Sequence, residues 1–178
     1  MKNYYCFSAT SLFLIMQILV SSSQNSPAVC LQEGVCYEGA WINYNIDGNS
    51  NKIFASYQGI RYAQPPLNNL RFLPPQPYVT EEGVYNVSVE STVMCSQRSG
   101  QGQEDCLFLN VYVPEIEYSR PLSVMVWIHG GGYTSGSNTY HDYGPKHFMD
   151  KEVIIVAINY RYEVYIYFFS WTNSENSP

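Results

Sequence analysis

Three runs of apolar residues dominate the pattern of the chain: Leu107–Val113 (LFLNVYV), Leu122–Ile128 (LSVMVWI) and Val153–Asn159 (VIIVAIN). The last two are continuous, β-branched and bounded by turn residues. That pattern predicts strands covered on both faces, as in a mostly parallel sheet. Between them, Tyr143–Asp150 (YGPKHFMD) predicts a short helix with Pro145 near its first turn. Upstream, short strand-like segments are broken by turns, and Asp47-Gly48-Asn49 predicts a hairpin whose returning strand is KIFASYQGI. QPPLNNLRFLPPQPY then places five prolines in fifteen residues. Proline removes backbone donors, so this stretch predicts an irregular surface crossing. The order strand, glycine-rich loop, short helix, strand indicates an α/β architecture.

The first 23 residues have a different pattern. Lys2 precedes an apolar stretch from about Tyr4 to Val20, followed by Ser21, Ser22 and Ser23. A positive start, an apolar middle and a small-residue end predict a signal peptide cut before Gln24, hence a secreted protein with no membrane span after cleavage. What remains of the 178 residues predicts one domain. The net charge of −6 over the full 178 residues, with no Lys/Arg cluster, leaves no electrostatic footprint for nucleic acid.

Secretion changes how the cysteines read. Cys6 leaves with the leader, and Cys30, Cys36, Cys95 and Cys106 remain. Four cysteines allow three connectivities; proximity favours Cys30–Cys36 and Cys95–Cys106. Their spacings match no zinc pattern, and His129, His141 and His147 form no ligand cluster, so neither metal nor cofactor is expected. Asn86-Val87-Ser88 is the one glycosylation sequon of the mature chain and predicts an exposed Asn86.

The candidate chemistry lies in VWIHGGGYTSGS, where a strand runs into Gly130, Gly131 and Gly132. Phosphate cradling would need a Gly-Lys-Ser/Thr ending, but Tyr133 follows the glycines. A dinucleotide fingerprint lacks its acidic partner. His-Gly-Gly-Gly directly after a buried strand is the motif whose backbone N–H groups form the oxyanion hole of esterases and lipases. Such donors stand about 2.7–3.1 Å from the developing oxyanion, and each lowers the barrier by roughly 3–4 kcal/mol.

Four segments in order (YQGIRYAQPPLNNLRFLPPQP, MCSQ, EDCLFLNVYVP and VMVWIHGGGYTSGS) resemble the type-B carboxylesterases, the cholinesterase-like branch of the α/β-hydrolases. DYGPKHFMDKEVIIVAINYR continues the resemblance, which covers about Cys30 to Arg161. It implies the N-terminal portion of an α/β-hydrolase, with a mixed, mostly parallel sheet left incomplete, and a small-molecule carboxylic ester as substrate of the full-length enzyme. It further implies Gly131 and Gly132 as oxyanion donors, supported by Gly130 as the turn residue and His129 as a structural histidine. Cys95–Cys106 matches the family's first disulfide, closing a loop without the ligand-binding Trp of cholinesterases. Arg71 and Glu104 match a buried ion pair. Arg61 departs from the family pattern, in which proline is usual there, and Asn68 replaces the usual glycine.

The resemblance also implies a serine in a Gly-x-Ser-x-Gly elbow, then an acid, then a histidine. No such elbow occurs in the 178 residues; the nearest stretch, Gly132-Tyr-Thr-Ser-Gly136, has threonine at the elbow position. The expectation is therefore a fragment that holds an oxyanion loop, lacks a nucleophile and is inactive alone. The alternative is a non-catalytic, cholinesterase-like adhesion or binding protein. After Arg161 the composition shifts abruptly to YEVYIYFFSWTNSENSP, so residues 162–178 are expected to be a divergent tail from a retained intron or a wrong exon end.

Overall fold

The computed structural model describes residues 26–31, 34–46, 52–116 and 120–162, together with the backbone of residues 19–23. Two sheets organise them. The smaller has β1 (Leu19–Ser23), β2 (Ser26–Cys30), β3 (Val35–Glu38) and β6 (Gly83–Asn86) in the order β1-β2-β3-β6. The larger has β4 (Ala40–Tyr44), β5 (Lys52–Arg61), β7 (Phe108–Pro114), β9 (Val153–Ile158) and β8 (Ser123–Ile128) in the order β4-β5-β7-β9-β8.

The larger sheet is mixed. β4–β5, β5–β7 and β7–β9 pair antiparallel, and only β8–β9 pairs parallel. Parallel character thus begins where the loop after β8 and the crossover behind it return the chain to β9 in the same direction. The mostly parallel sheet expected from the apolar runs is, among the described residues, mostly antiparallel.

Alternation along β5 explains why Phe54 to Gln58 are all buried. Ala55 and Tyr57 face the smaller sheet and pack with Val29, Val35, Tyr37, Val111, Val113 and Ile154. Phe54 faces the other way, into a cluster with Tyr44, Tyr112, Met149, Ile155 and Ala157. The continuous apolar character of β9 has the same cause, since Ile154 serves the first cluster and Ile155 and Ala157 the second. β9 is therefore a central strand, paired with β7 on one side and β8 on the other. The edge is β8: Val124, Met125, Val126, Trp127 and Ile128 are between 42% and 61% exposed, on both faces.

The helix lies earlier than expected. It covers Tyr140–Tyr143, and the predicted helical stretch 146–150 forms turns. Gly144 precedes Pro145 and is extended (φ −59°, ψ 144°), as the residue before proline must be, so the helix stops at Tyr143. The proline-rich crossing is irregular, as expected, apart from a 3-10 turn at Asn68–Leu70. Asn68, where the family prefers glycine, has φ +50°.

Both disulfides are formed, Cys30–Cys36 across paired positions of β2 and β3, and Cys95–Cys106 beside the crossing. Residues 1–18 of the expected leader, the Asp47-Gly48-Asn49 turn and residues 163–178 lie outside the described residues.

Candidate functional site

The glycine loop begins where β8 ends. Gly131 (φ +122°), Gly132 (φ +60°) and Gly136 (φ +116°) take left-handed backbone, and Tyr133 (φ +58°) does so despite its side chain. The N–H of Thr134 donates to the carbonyl of Gly131 at 3.0 Å, closing a turn whose two central residues both have positive φ, as in type I′. Ser135 N–H (3.2 Å) and Thr134 Oγ1 (3.1 Å) donate to the same carbonyl. The Gly131 carbonyl is thereby committed inside the loop. Among the described residues no acceptor takes the N–H of Gly131 or Gly132, and both residues are exposed.

The three glycines are not equivalent. A β-carbon on Gly131 would collide with the Ser135 carbonyl, and one on Gly136 would collide with the His129 ring and the Gly130 carbonyl. Gly132 has open space but a left-handed φ; Gly130 has open space and no positive φ.

His129 is the loop's buried support, 2% exposed. Its Nδ1–H donates to the Gly130 carbonyl at 2.8 Å, which fixes the tautomer because a carbonyl only accepts. Its ring stacks on Tyr160 at 4.3 Å and meets Tyr162 edge-on at 5.9 Å. Burial pushes its pKa below the ordinary 6.5, partly offset by the Gly130 hydrogen bond. The neutral ring is therefore a wedge, and among the described residues no carboxylate stands by to make it a base. The other two histidines lie off the loop: His141 is on the short helix, its Nδ1 3.1 Å from Asp142 Oδ1, and His147 is exposed in the turn beyond it.

The stretch after β9 holds the loop from outside. Tyr160 Oη donates to the His129 carbonyl at 2.7 Å, and Tyr162 Oη donates to the Gly136 carbonyl at 2.9 Å. Tyr162, assigned by sequence to the divergent tail, is fully buried here with Cys95, Cys106 and Leu107.

Arg71 and Glu104 form their ion pair at 2.6 Å, but with side chains 45% and 25% exposed it sits at the surface and is not buried. The proline-rich crossing keeps it in reach of water. Arg61, whose role the sequence left open, makes two bonds to Asp105 at 2.6 and 2.8 Å and lies 4.3 Å over the Phe108 ring. The adjacent acids Glu104 and Asp105 thus each bind one arginine. Asn86 is exposed at the end of β6, where its side-chain carbonyl accepts from Ser88. No group of three or more His, Cys, Asp or Glu among the described residues could hold a metal, and no helix among them is long and apolar enough to cross a membrane.

A mixed sheet feeding a left-handed glycine loop with uncommitted N–H groups defines the start of an α/β-hydrolase. The Carboxylesterase family matches residues 42–178, and the chain belongs to that family. It is 39% identical to the juvenile hormone esterase of Tribolium castaneum over 139 residues, 72% of this chain and 23% of that protein. It is 38% identical to esterase E4 of Myzus persicae over 172 residues, 90% of this chain and 30% of that protein. The crystal structure of juvenile hormone esterase from Manduca sexta, with OTFP covalently attached, superposes with a TM-score of 0.65 at 31% identity, covering 79% of this chain and 27% of that one. The chain thus spans less than a third of the length of these relatives.

Proposed function

We propose that this chain is the N-terminal portion of a secreted carboxylic-ester hydrolase. In the complete enzyme a serine from a downstream Gly-x-Ser-x-Gly elbow attacks the ester carbonyl, and charge develops on its oxygen. The N–H groups of Gly131 and Gly132 hold that oxygen through the tetrahedral intermediate, ready-oriented because the loop is already folded. The carrying observation is the pair of left-handed glycines whose N–H groups no described acceptor takes, while the Gly131 carbonyl is bound within the loop. Two formed disulfides support an oxidising destination, residues 1–23 being the leader, whose removal takes β1 from the smaller sheet, and the exposed Asn86 supports glycosylation.

On this reading the 178-residue chain is inactive alone, because it contains no elbow serine. The test is hydrolysis of a chromogenic short-chain ester by the purified chain: a rate equal to buffer is expected, and turnover removed by a serine-directed inhibitor refutes the reading. The divergent tail on this reading is residues 162–178, with Tyr162 at its start buried. The family match runs through this stretch, so sequencing the transcript across codon 162 decides. An intron boundary there supports the tail, and an ordinary exon refutes it.

A further inference from the structure

Three buried amides meet behind the glycine loop: Asn110 on β7, Asn138 on the loop's outgoing stem and Asn159 just after β9, each at most 1% exposed. Buried amides are costly unless bonded, so their partners show what they hold. Asn159 Oδ1 accepts from the Asn138 N–H at 2.9 Å, and Asn110 Nδ2 donates to the Asn138 carbonyl at 2.9 Å. Asn138 Nδ2 donates to the carbonyls of Ala157 at 3.0 Å and Phe108 at 3.3 Å. The outer ends are anchored too: Asn159 Nδ2 donates to the Val93 carbonyl at 2.9 Å, and the Gly59 N–H donates to Asn110 Oδ1 at 2.9 Å. Tyr62, its pKa pushed up to about 12 by burial, donates to the Asn159 carbonyl at 2.7 Å.

Cross-links that merely joined strands would be spread along the sheet. These converge on one residue, two positions after Gly136, and take both of its backbone groups and its side-chain donor. We propose that Asn110, Asn138 and Asn159 are positioning residues for the oxyanion loop. They fix its stem to β7 and β9, and so fix where the N–H groups of Gly131 and Gly132 stand relative to the end of β8. The inference rests on the reading of those glycines as oxyanion donors. Donors of this kind act only within a few tenths of an ångström of their place, and a loop acquires such precision from the rigid elements behind it.

The test uses the full chain with Asn159→Ala and Asn159→Asp. Alanine removes the acceptor for the Asn138 N–H. A buried aspartate held neutral keeps an acceptor there and an O–H donor toward Val93. Two readouts follow the loop without any ester: the amide resonances of Gly131 and Gly132, and chymotryptic cleavage after Tyr133, which is 64% exposed, against cleavage after the fully buried Tyr112. Asn159→Ala should shift both glycine resonances and speed cleavage after Tyr133 by about tenfold, with Tyr112 unchanged. Asn159→Asp should return both readouts to near wild type. The proposal is overturned if alanine leaves the loop unchanged, if the two variants behave alike, or if cleavage after Tyr112 rises in step. Since no readout involves hydrolysis, losing this inference leaves the ester-hydrolase reading intact, and failure of that reading is seen separately, in the ester assay.

Discussion

Gly130 and Gly131 are neighbours in one motif, yet alanine should affect them in opposite ways. At Gly131 the backbone sits at φ +122°, and a β-carbon would strike the Ser135 carbonyl, itself part of the turn. Holding a non-glycine residue in so sparse a region costs of order 1–3 kcal/mol, and the collision is with backbone, which cannot rotate away. At Gly130 there is no positive φ and nothing within 4 Å of a β-carbon. There alanine removes unfolded-state freedom and should be neutral or stabilising by up to about 1 kcal/mol. Denaturant unfolding, followed by tryptophan fluorescence, gives both values. A shift of about 2–4 °C per kcal/mol in thermal midpoint is an independent check. Equal destabilisation by Gly130→Ala and Gly131→Ala would refute the assignment of steric demand to Gly131.

Four further outcomes follow from the same geometry. Tyr133 has φ +58°, so Tyr133→Gly should stabilise the chain by about 1–2 kcal/mol in the same unfolding assay. A destabilising result would mean that the tyrosine ring makes contacts that outweigh its backbone. His129 is held neutral by burial, its folded pKa lying below the unfolded 6.5. The unfolded chain therefore binds more protons, and stability should be constant above pH 6.5 and fall as pH drops from there toward the folded pKa. His129→Gln should flatten that fall, and an unaltered urea-midpoint profile would count against the assignment. Arg61→Ala should cost more than Arg71→Ala, roughly 1–2 against at most about 1 kcal/mol, because Arg61 is bidentate, stacked on Phe108 and less exposed. Unfolding in low and high salt separates the two. Val126 is 55% exposed on the edge strand, so Val126→Lys should raise the soluble monomer fraction on a sizing column without lowering the thermal midpoint.

The strands were legible because burial on two faces leaves an apolar run that periodicity can read, as in β9. Their order was not legible. Whether VMVWI or VIIVAI is central depends on which one β7 pairs with, and both runs look alike in sequence. The helix was misplaced because YGPKHFMD has helical composition, whereas the extended Gly144 before Pro145 ends the helix at its start. In the site, the glycines could be read because glycine is a backbone signal. The amides Asn110, Asn138 and Asn159 could not, since an asparagine in or beside a strand reads as surface until its partners are known. One signal was available: asparagine inside the apolar runs LFLNVYV and VIIVAIN is costly unless bonded. Arg61 likewise became intelligible only when Asp105 and Phe108 were placed beside it.

The central proposal is that Gly131 and Gly132 hold the oxyanion of the complete enzyme. It is tested most directly by joining residues 24–162 of this chain to the downstream portion of the Tribolium castaneum juvenile hormone esterase and measuring kcat/KM on a short-chain ester. The account predicts hydrolysis by the chimaera and a loss of roughly 100- to 1,000-fold with Gly131→Ala, whose β-carbon meets the Ser135 carbonyl and so moves the backbone N–H out of place, an effect comparable to losing one oxyanion donor. Hydrolysis that survives Gly131→Ala within about threefold would contradict it, since a donor displaced at that position must raise the barrier by several kcal/mol.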